Sequence, residues 1–97
     1  MKKEEIIYSL IQNRDFIESR GATKIGLFGS YSKNIQSNKS DIDLLVKFDI
    51  SKKSFDNYIE LALFLEDIFG KKVELITTES IDSDFYNSIA KDIIYAY

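Results

Sequence analysis

The chain has 97 residues, of which 44% are hydrophobic and 13% aromatic, a composition that argues against a disordered or fibrous protein. It contains no Cys and no His, which excludes a disulfide framework, a thiol nucleophile, a Cys- or His-ligated metal and imidazole acid–base chemistry. With 13 basic and 16 acidic residues the net charge is −3, so the chain is not expected to bind nucleic acid by itself. No apolar run approaches the roughly 20 residues of a membrane span, and we expect a soluble, cytoplasmic protein.

The first half of the chain predicts one helix followed by two strands. Apolar residues recur at near-helical spacing over residues 3–20, and Gly21 is a natural helix stop. A short apolar run at 23–28 predicts a strand. A polar stretch over 33–40 then leads to a second predicted strand at 41–48.

The second half predicts a helix at 54–69, a strand at 72–77 and a last helix that begins at Ser80 or Ser83 and reaches Tyr95. The order is therefore α-β-turn-β-α-β-α, which predicts an α/β (α+β) fold: a small three-stranded mixed sheet flanked by helices, in one domain over residues 1–97. The connection between the first two strands is too short for an ordinary helical crossover, which favours an antiparallel first pair.

An Asp-x-Asp pattern opens the second strand. Side chains alternate along a strand, so Asp41 and Asp43 point the same way while Ile42 points to the other face. Two carboxylates on one face repel each other unless a cation lies between them, and Mg²⁺ takes one or two carboxylates with waters and phosphates. The alternative is that both are solvated on an open face of the sheet.

Gly29-Ser30 directly follows the first strand. Glycine permits close backbone approach, and Ser can offer its hydroxyl to a phosphate at a helix start. Alone, a Gly-Ser turn after a strand is common. The combination is more specific, because adjacent strands would bring a phosphate turn and the metal-binding carboxylates of Asp41 and Asp43 into one site.

This pattern, Gly29-Ser30-x10-Asp41-Ile42-Asp43 with an apolar run after it, resembles the signature of the DNA polymerase β-like nucleotidyltransferase superfamily. The chain is most similar to the minimal nucleotidyltransferase (MNT) domains, which commonly serve as antitoxins beside HEPN-domain RNase toxins. The resemblance implies that Gly29 and Ser30 grip the triphosphate and that Asp41 and Asp43 bind the metal.

The resemblance also assigns a third carboxylate on the next strand. Val73-Glu74-Leu75 matches its apolar-acidic-apolar pattern, so Glu74 is implied as a metal ligand or as the base that helps the acceptor hydroxyl. Two residues depart from the family's pattern. Lys33 stands where many members have Arg, keeping the positive charge but not the planar fork, and Glu74 replaces the more usual Asp. As implied nucleotide-binding residues we therefore take Gly29, Ser30 and Lys33.

The function implied by the resemblance is transfer of a nucleoside monophosphate, AMP from ATP with Mg²⁺, to a hydroxyl on a partner protein, namely a tyrosine of a HEPN toxin. The alternative is a non-catalytic subunit that binds nucleotide or occludes a toxin. Transfer to a small molecule such as an aminoglycoside is less favoured, because larger relatives that do this carry an extra substrate domain.

The second predicted helix and the last one carry more apolar surface than one core-facing stripe needs, which predicts a partner or an oligomer as the alternative to an ordinary core with exposed aromatics. The residues are Tyr58, Ile59, Leu61, Ala62, Leu63, Phe64, Leu65, Ile68 and Phe69, and then Phe85, Tyr86, Ile89, Ala90, Ile93, Ile94 and Tyr97.

Overall fold

The computed structural model describes residues 1–97 as an α/β structure with a mixed sheet flanked by helices, which confirms the predicted fold class. Single-turn 3₁₀ helices lie at Thr78–Ser80 and Ala90–Asp92. None of the helices has the length and apolar character required to cross a membrane. The elements are α1 (Lys3–Gln12), α2 (Arg14–Ser19), β1 (Ala22–Phe28), α3 (Gly29–Ser32), β2 (Ile42–Phe48), α4 (Phe55–Phe69), β3 (Val73–Thr77), α5 (Ser83–Ile89) and β4 (Ile94–Tyr95).

The strands lie in the order β3-β2-β1-β4. β1 and β2 are antiparallel, as the short connection between them predicts, and β4 is antiparallel to β1. β2 and β3 are parallel and are joined by α4, which supplies the crossover that a parallel pair requires.

The sheet has four strands, so the prediction of three is wrong, as is the prediction of a last helix reaching Tyr95. α5 ends at Ile89, and the chain then pairs with β1: the Ala96 amide donates to the Ile25 carbonyl at 2.9 Å. This pairing is possible because Gly26 has no side chain. A Cβ at Gly26 would lie 2.8 Å from Cγ2 of Ile93, closer than packed carbon atoms approach.

The single helix predicted over 3–20 is two helices. At Asn13 the backbone leaves helical geometry (φ −104°, ψ 18°), and the side-chain amide donates to the Ser9 carbonyl at 2.8 Å. Asn competes with the backbone for such hydrogen bonds, which is why it favours helix ends. The break lets α2 turn so that Phe16 stacks on Phe64 of α4, with ring centroids 4.1 Å apart.

The main core lies between one face of the sheet and helices α1, α2 and α4. As the strand alternation predicts, Ile42, Leu44 and Val46 are fully buried on this face. The opposite face is also covered near its middle, since Leu45 is buried and the Phe28 ring contacts the Phe85 ring of α5 edge-on at 6.3 Å. Polar side chains occupy the two ends of that face, with Asp43 at one end of β2 and Lys47 at the other.

Most of the apolar surplus predicted for α4 packs on the core. The helix begins at Ser54, whose hydroxyl accepts from the Asn57 amide at 3.1 Å, and ends at Gly70 in the left-handed conformation. Leu63 is the large apolar side chain within the predicted set on this helix that stays mainly exposed. On α5, Phe85 and Tyr86 are exposed.

Candidate active site

One end of the sheet gathers the predicted site residues. β1 ends where β2 and β3 begin, because β2 runs antiparallel to β1 and parallel to β3. In the register of these strands Asp43 is the partner of Phe28 on one side and of Glu74 on the other. The structure therefore brings together the turn that begins at Gly29 and the carboxylates of β2 and β3.

Asp43 and Glu74 are direct neighbours on adjacent strands, whose backbones lie about 4.8 Å apart. The Asp43 side chain is partly buried and within hydrogen-bonding reach of Glu74. Burial raises the pKa of Asp43 to about 6, with the negative charge of Glu74, the hydrogen bond to Glu74 and the charge of Asp41 adding to the rise. The site thus concentrates negative charge that a cation would relieve.

Asp41 is held by the loop that precedes β2. Within that loop the Ser37 amide donates to the Ser40 hydroxyl at 2.9 Å. The Lys71 ammonium donates to the Asn38 carbonyl at 3.0 Å, and Lys71 lies two residues before the start of β3. These bonds tie the loop to the start of β3, so Asp41 lies partly exposed at the same end of the sheet as Asp43.

Gly29 occupies a position that only glycine fits. Its φ is +74°, and a Cβ built there would overlap Oδ2 of Asp43. The turn therefore passes directly against the Asp43 carboxylate. A ligand bound by the backbone of the turn would lie beside that carboxylate.

The helix after Gly29 is short but firmly anchored. Tyr31 is buried in the main core, and the Ser32 hydroxyl donates to the Gly29 carbonyl at 3.0 Å. Ser30 remains partly exposed. The first N–H groups of a helix have no carbonyl partner within it, so this turn offers donors to an anion.

Lys33 caps the same short helix, and its ammonium lies 3.9 Å from Oδ2 of Asp92. It forms no ion pair with Asp41, Asp43 or Glu74. Sequence reasoning missed Asp92, because it falls in the stretch predicted as helix. Alternating β-branched and aromatic residues from Ile93 onward are the signal that indicates a strand there.

The three carboxylates are accessible from solvent, since Glu74 is exposed and Asp41 and Asp43 are partly exposed. The structure has three surface depressions, and none is lined by Asp41, Asp43 or Glu74. The largest apolar depression, about 390 Å³, lies along α1 beside Ile94. Any acceptor reaching the carboxylates therefore needs no channel.

The donors at this end of the sheet fit a divalent cation that is shared with a ligand. No group of three or more acidic side chains is arranged to enclose a metal ion on its own. Mg²⁺, however, usually takes one or two carboxylates and completes its shell with water and phosphate oxygens. Asp43 and its acidic neighbours Asp41 and Glu74 supply oxygen donors of that kind.

Replacing Asp43 by Asn should stabilise the folded protein near pH 7 in the presence of EDTA. The folded pKa of about 6 lies above the ordinary 3.8, so the free energy of unfolding falls as pH rises from about 4 through 6 and Asp43 ionises. A shift of this size is worth about 3 kcal/mol for a fully buried group, and solvent around this half-buried side chain reduces it to on the order of 1 kcal/mol. Urea unfolding across this pH range measures it.

The gain from Asp43→Asn should shrink toward zero below about pH 3, where the wild-type carboxyl is protonated in both the folded and the unfolded state. Asp67→Asn removes an exposed carboxylate on α4 and should change stability by less than about 0.5 kcal/mol at either pH. Equal effects of the two substitutions at pH 7 would contradict the charge crowding at Asp43.

Replacing Gly29 by Ala should destabilise the protein more than replacing Gly70 by Ala. Both glycines have positive φ, so each substitution costs about 1–2 kcal/mol of backbone strain. Only at Gly29 does the new Cβ also meet another group, the carboxylate of Asp43, whereas nothing lies within 4 Å at Gly70. Urea unfolding measures the difference, and equal losses would show that the turn does not press on Asp43.

The chain is similar to known proteins over most of its length. The model of the nucleotidyltransferase domain family matches residues 10–96. Protein adenylyltransferase MntA of Thermococcus cleftensis is 32% identical over 93 residues, covering 95% of this chain and 93% of the relative. The Methanocaldococcus jannaschii protein named Putative protein adenylyltransferase MJ1379 is 48% identical over 73 residues, covering 73% of each chain.

Among solved structures, a crystal structure of a toxin–antitoxin with AMP-PNP has a TM-score of 0.72 and 28% identity, over 98% of this chain and 73% of the other. The family match spans the turn at Gly29, the carboxylates of β2 and Glu74 on β3. The chain belongs to the nucleotidyltransferase family.

Proposed function

We propose that this nucleotidyltransferase transfers AMP from ATP, with Mg²⁺, to a hydroxyl on a partner protein, and that the acceptor is a tyrosine of a HEPN toxin. The observation that carries the proposal is the register of the sheet, which sets Asp43 between Glu74 and the Gly29 turn. A phosphate-binding turn pressed against paired carboxylates suits a metal-bound triphosphate.

In this proposal Asp41 and Asp43 hold the metal, and Glu74 either completes that set or accepts the proton of the acceptor. Bound there, Mg²⁺ would neutralise negative charge on the phosphates. The absence of His from the chain leaves carboxylates as the available bases, and Glu74 is exposed at the edge of the group, where an incoming hydroxyl can reach it.

In this proposal the turn that begins at Gly29 binds the phosphates. Gly29 allows the backbone to approach, and Ser30 offers its hydroxyl and free N–H groups at the start of α3. Lys33 adds a positive charge at the end of the same helix. Together they would fix the triphosphate so that its α-phosphate faces the acceptor, and such positioning supplies much of the acceleration in phosphoryl transfer.

The reaction is balanced by one bond made and one broken. The acceptor oxygen attacks the α-phosphorus of ATP, the bond from that phosphorus to the bridging oxygen breaks, and pyrophosphate leaves with the electron pair. The proton of the hydroxyl passes to Glu74 and then to solvent if Glu74 serves as the base, and directly to solvent if Glu74 completes the metal ligands. The product is a phosphodiester between AMP and the acceptor.

A protein acceptor is supported by the shape of the site and by the relatives. The carboxylates lie on an open surface that a second protein can cover. The Thermococcus cleftensis relative is named as a protein adenylyltransferase, and the similar toxin–antitoxin structure holds AMP-PNP. These relatives favour ATP as the donor and a toxin as the partner.

Substituting Asp41 and Asp43 together by Ala should lower AMP transfer by on the order of 100-fold or more, because the charge on the phosphates then goes uncompensated. The assay incubates the protein with Mg²⁺, a HEPN-domain protein from the same organism and ATP labelled at the α-phosphate. Label at the γ-phosphate should not be transferred, since it leaves with pyrophosphate.

Asp67→Ala is the matched control, an exposed carboxylate on α4 whose loss should leave transfer unchanged. Full transfer by the Asp41→Ala/Asp43→Ala variant would contradict the assignment of the site. If the wild type silences the RNase without any transfer of label, the protein acts by occluding the toxin, and the catalytic proposal is wrong.

A further inference from the structure

The ion pair between Lys33 and Asp92 links the phosphate turn to the last strand of the sheet. Lys33 ends the short helix that follows Gly29, and Asp92 lies immediately before the C-terminal extension of the chain into β4. The two residues lie 59 positions apart in the sequence, so their contact depends on the pairing of β4 with β1.

β4 is seated on β1 in a fixed register. Ile94 is the partner of Leu27, and Asp92 lies two residues earlier, at the end of the 3₁₀ helix Ala90–Asp92, with its carboxylate 3.9 Å from the Lys33 ammonium. The approach is close because Gly26 lacks a side chain and both Ile93 and Tyr95 pack over it. Asp92 is accordingly placed at the same end of the sheet as the three site carboxylates.

Of the two paired groups, Asp92 is the better fixed. Its side chain is 24% exposed, against 49% for that of Lys33, which has a long flexible stem. Lys33 has three other carboxylates at this end of the sheet, yet pairs with none of them. The position of the ammonium is therefore set by Asp92.

We infer that Asp92 is a positioning residue that holds the Lys33 ammonium on the β4 side of the phosphate turn, away from Asp41, Asp43 and Glu74. Without that partner the ammonium is drawn to the nearest unpaired negative charges, which are the carboxylates assigned to the metal. There the ammonium competes with Mg²⁺ for the carboxylates and no longer contacts the phosphates. This inference rests on the proposed function, since it concerns how Lys33 serves the nucleotide site.

Titration with AMP-PNP at several Mg²⁺ concentrations tests it, because that analogue is not turned over. Asp92→Asn should raise the Mg²⁺ concentration for half-maximal binding about three- to fivefold, the size expected for a partly exposed ion pair, and should weaken AMP-PNP binding by a similar factor. Asp92→Glu keeps the negative charge, so its Mg²⁺ requirement and its affinity for AMP-PNP should both equal those of the wild type. Glu79→Gln, which breaks the Lys53–Glu79 pair at the other end of the sheet, should change neither.

The decisive variant is Lys33→Met/Asp92→Asn. If Asp92 acts through Lys33, the Mg²⁺ requirement of this double variant equals that of Lys33→Met alone, because no ammonium remains to compete. If the Mg²⁺ requirement still rises when Asp92→Asn is added to Lys33→Met, Asp92 only supports the fold and the inference is wrong. If Asp92→Asn binds AMP-PNP more tightly than the wild type, Asp92 keeps the Lys33 ammonium away from the phosphates, which also overturns the inference. Unchanged binding in Asp92→Asn overturns it while the proposed function stands, and absence of Mg²⁺-dependent binding in the wild type overturns both.

Discussion

The contact between the backbone at Gly29 and the carboxylate of Asp43 is the constraint on which the site depends. It exists because β1 and β2 pair in a register that sets Phe28 opposite Asp43, so the chain leaves β1 directly beside that side chain. The burial of Tyr31 in the core then keeps the turn in place. The turn at Gly29 and the carboxylate of Asp43 are thus brought together by the pairing of β1 with β2.

The same arrangement works against the stability of the free protein. Asp43 is partly buried beside Glu74 and near Asp41; burial raises its pKa, and the negative charges of Glu74 and Asp41 add to the rise. Like charges on neighbouring strands destabilise a sheet, so the pairing of Asp43 with Glu74 does not serve the stability of the fold. A cation and a polyanionic ligand together would relieve the repulsion, which is the reason why the crowding indicates a binding site.

Much of this arrangement could be predicted from the sequence. Alternation along a strand placed Asp41 and Asp43 on the face opposite Ile42, and the short connection before them indicated an antiparallel pair. These features depend on local pattern and spacing. The metal and nucleotide roles of Asp41, Asp43, Glu74, Gly29, Ser30 and Lys33 stay predictions, although the structure sets all six at one end of the sheet.

What the sequence did not disclose depends on contacts between distant segments. β4 forms because Gly26, more than 60 residues earlier, leaves room for Ile93 and Tyr95, and a glycine inside a strand does not say what will fill the space. Asp92 gains its place at the site only through that pairing. Likewise the apolar spacing of the first helix continues past Asn13, where the backbone leaves helical geometry, so the spacing alone did not predict the break.

The open form of the site connects these features to function. In the proposed function the carboxylates hold a nucleotide at a solvent-accessible end of the sheet, where a partner protein would bring the acceptor hydroxyl. Isothermal titration of ATP with and without Mg²⁺, on the wild type and on the Asp41→Ala/Asp43→Ala variant, tests the central claim most directly. We expect binding that requires Mg²⁺ in the wild type and is lost in the variant; ATP binding of equal strength in both proteins would contradict the assignment of these carboxylates.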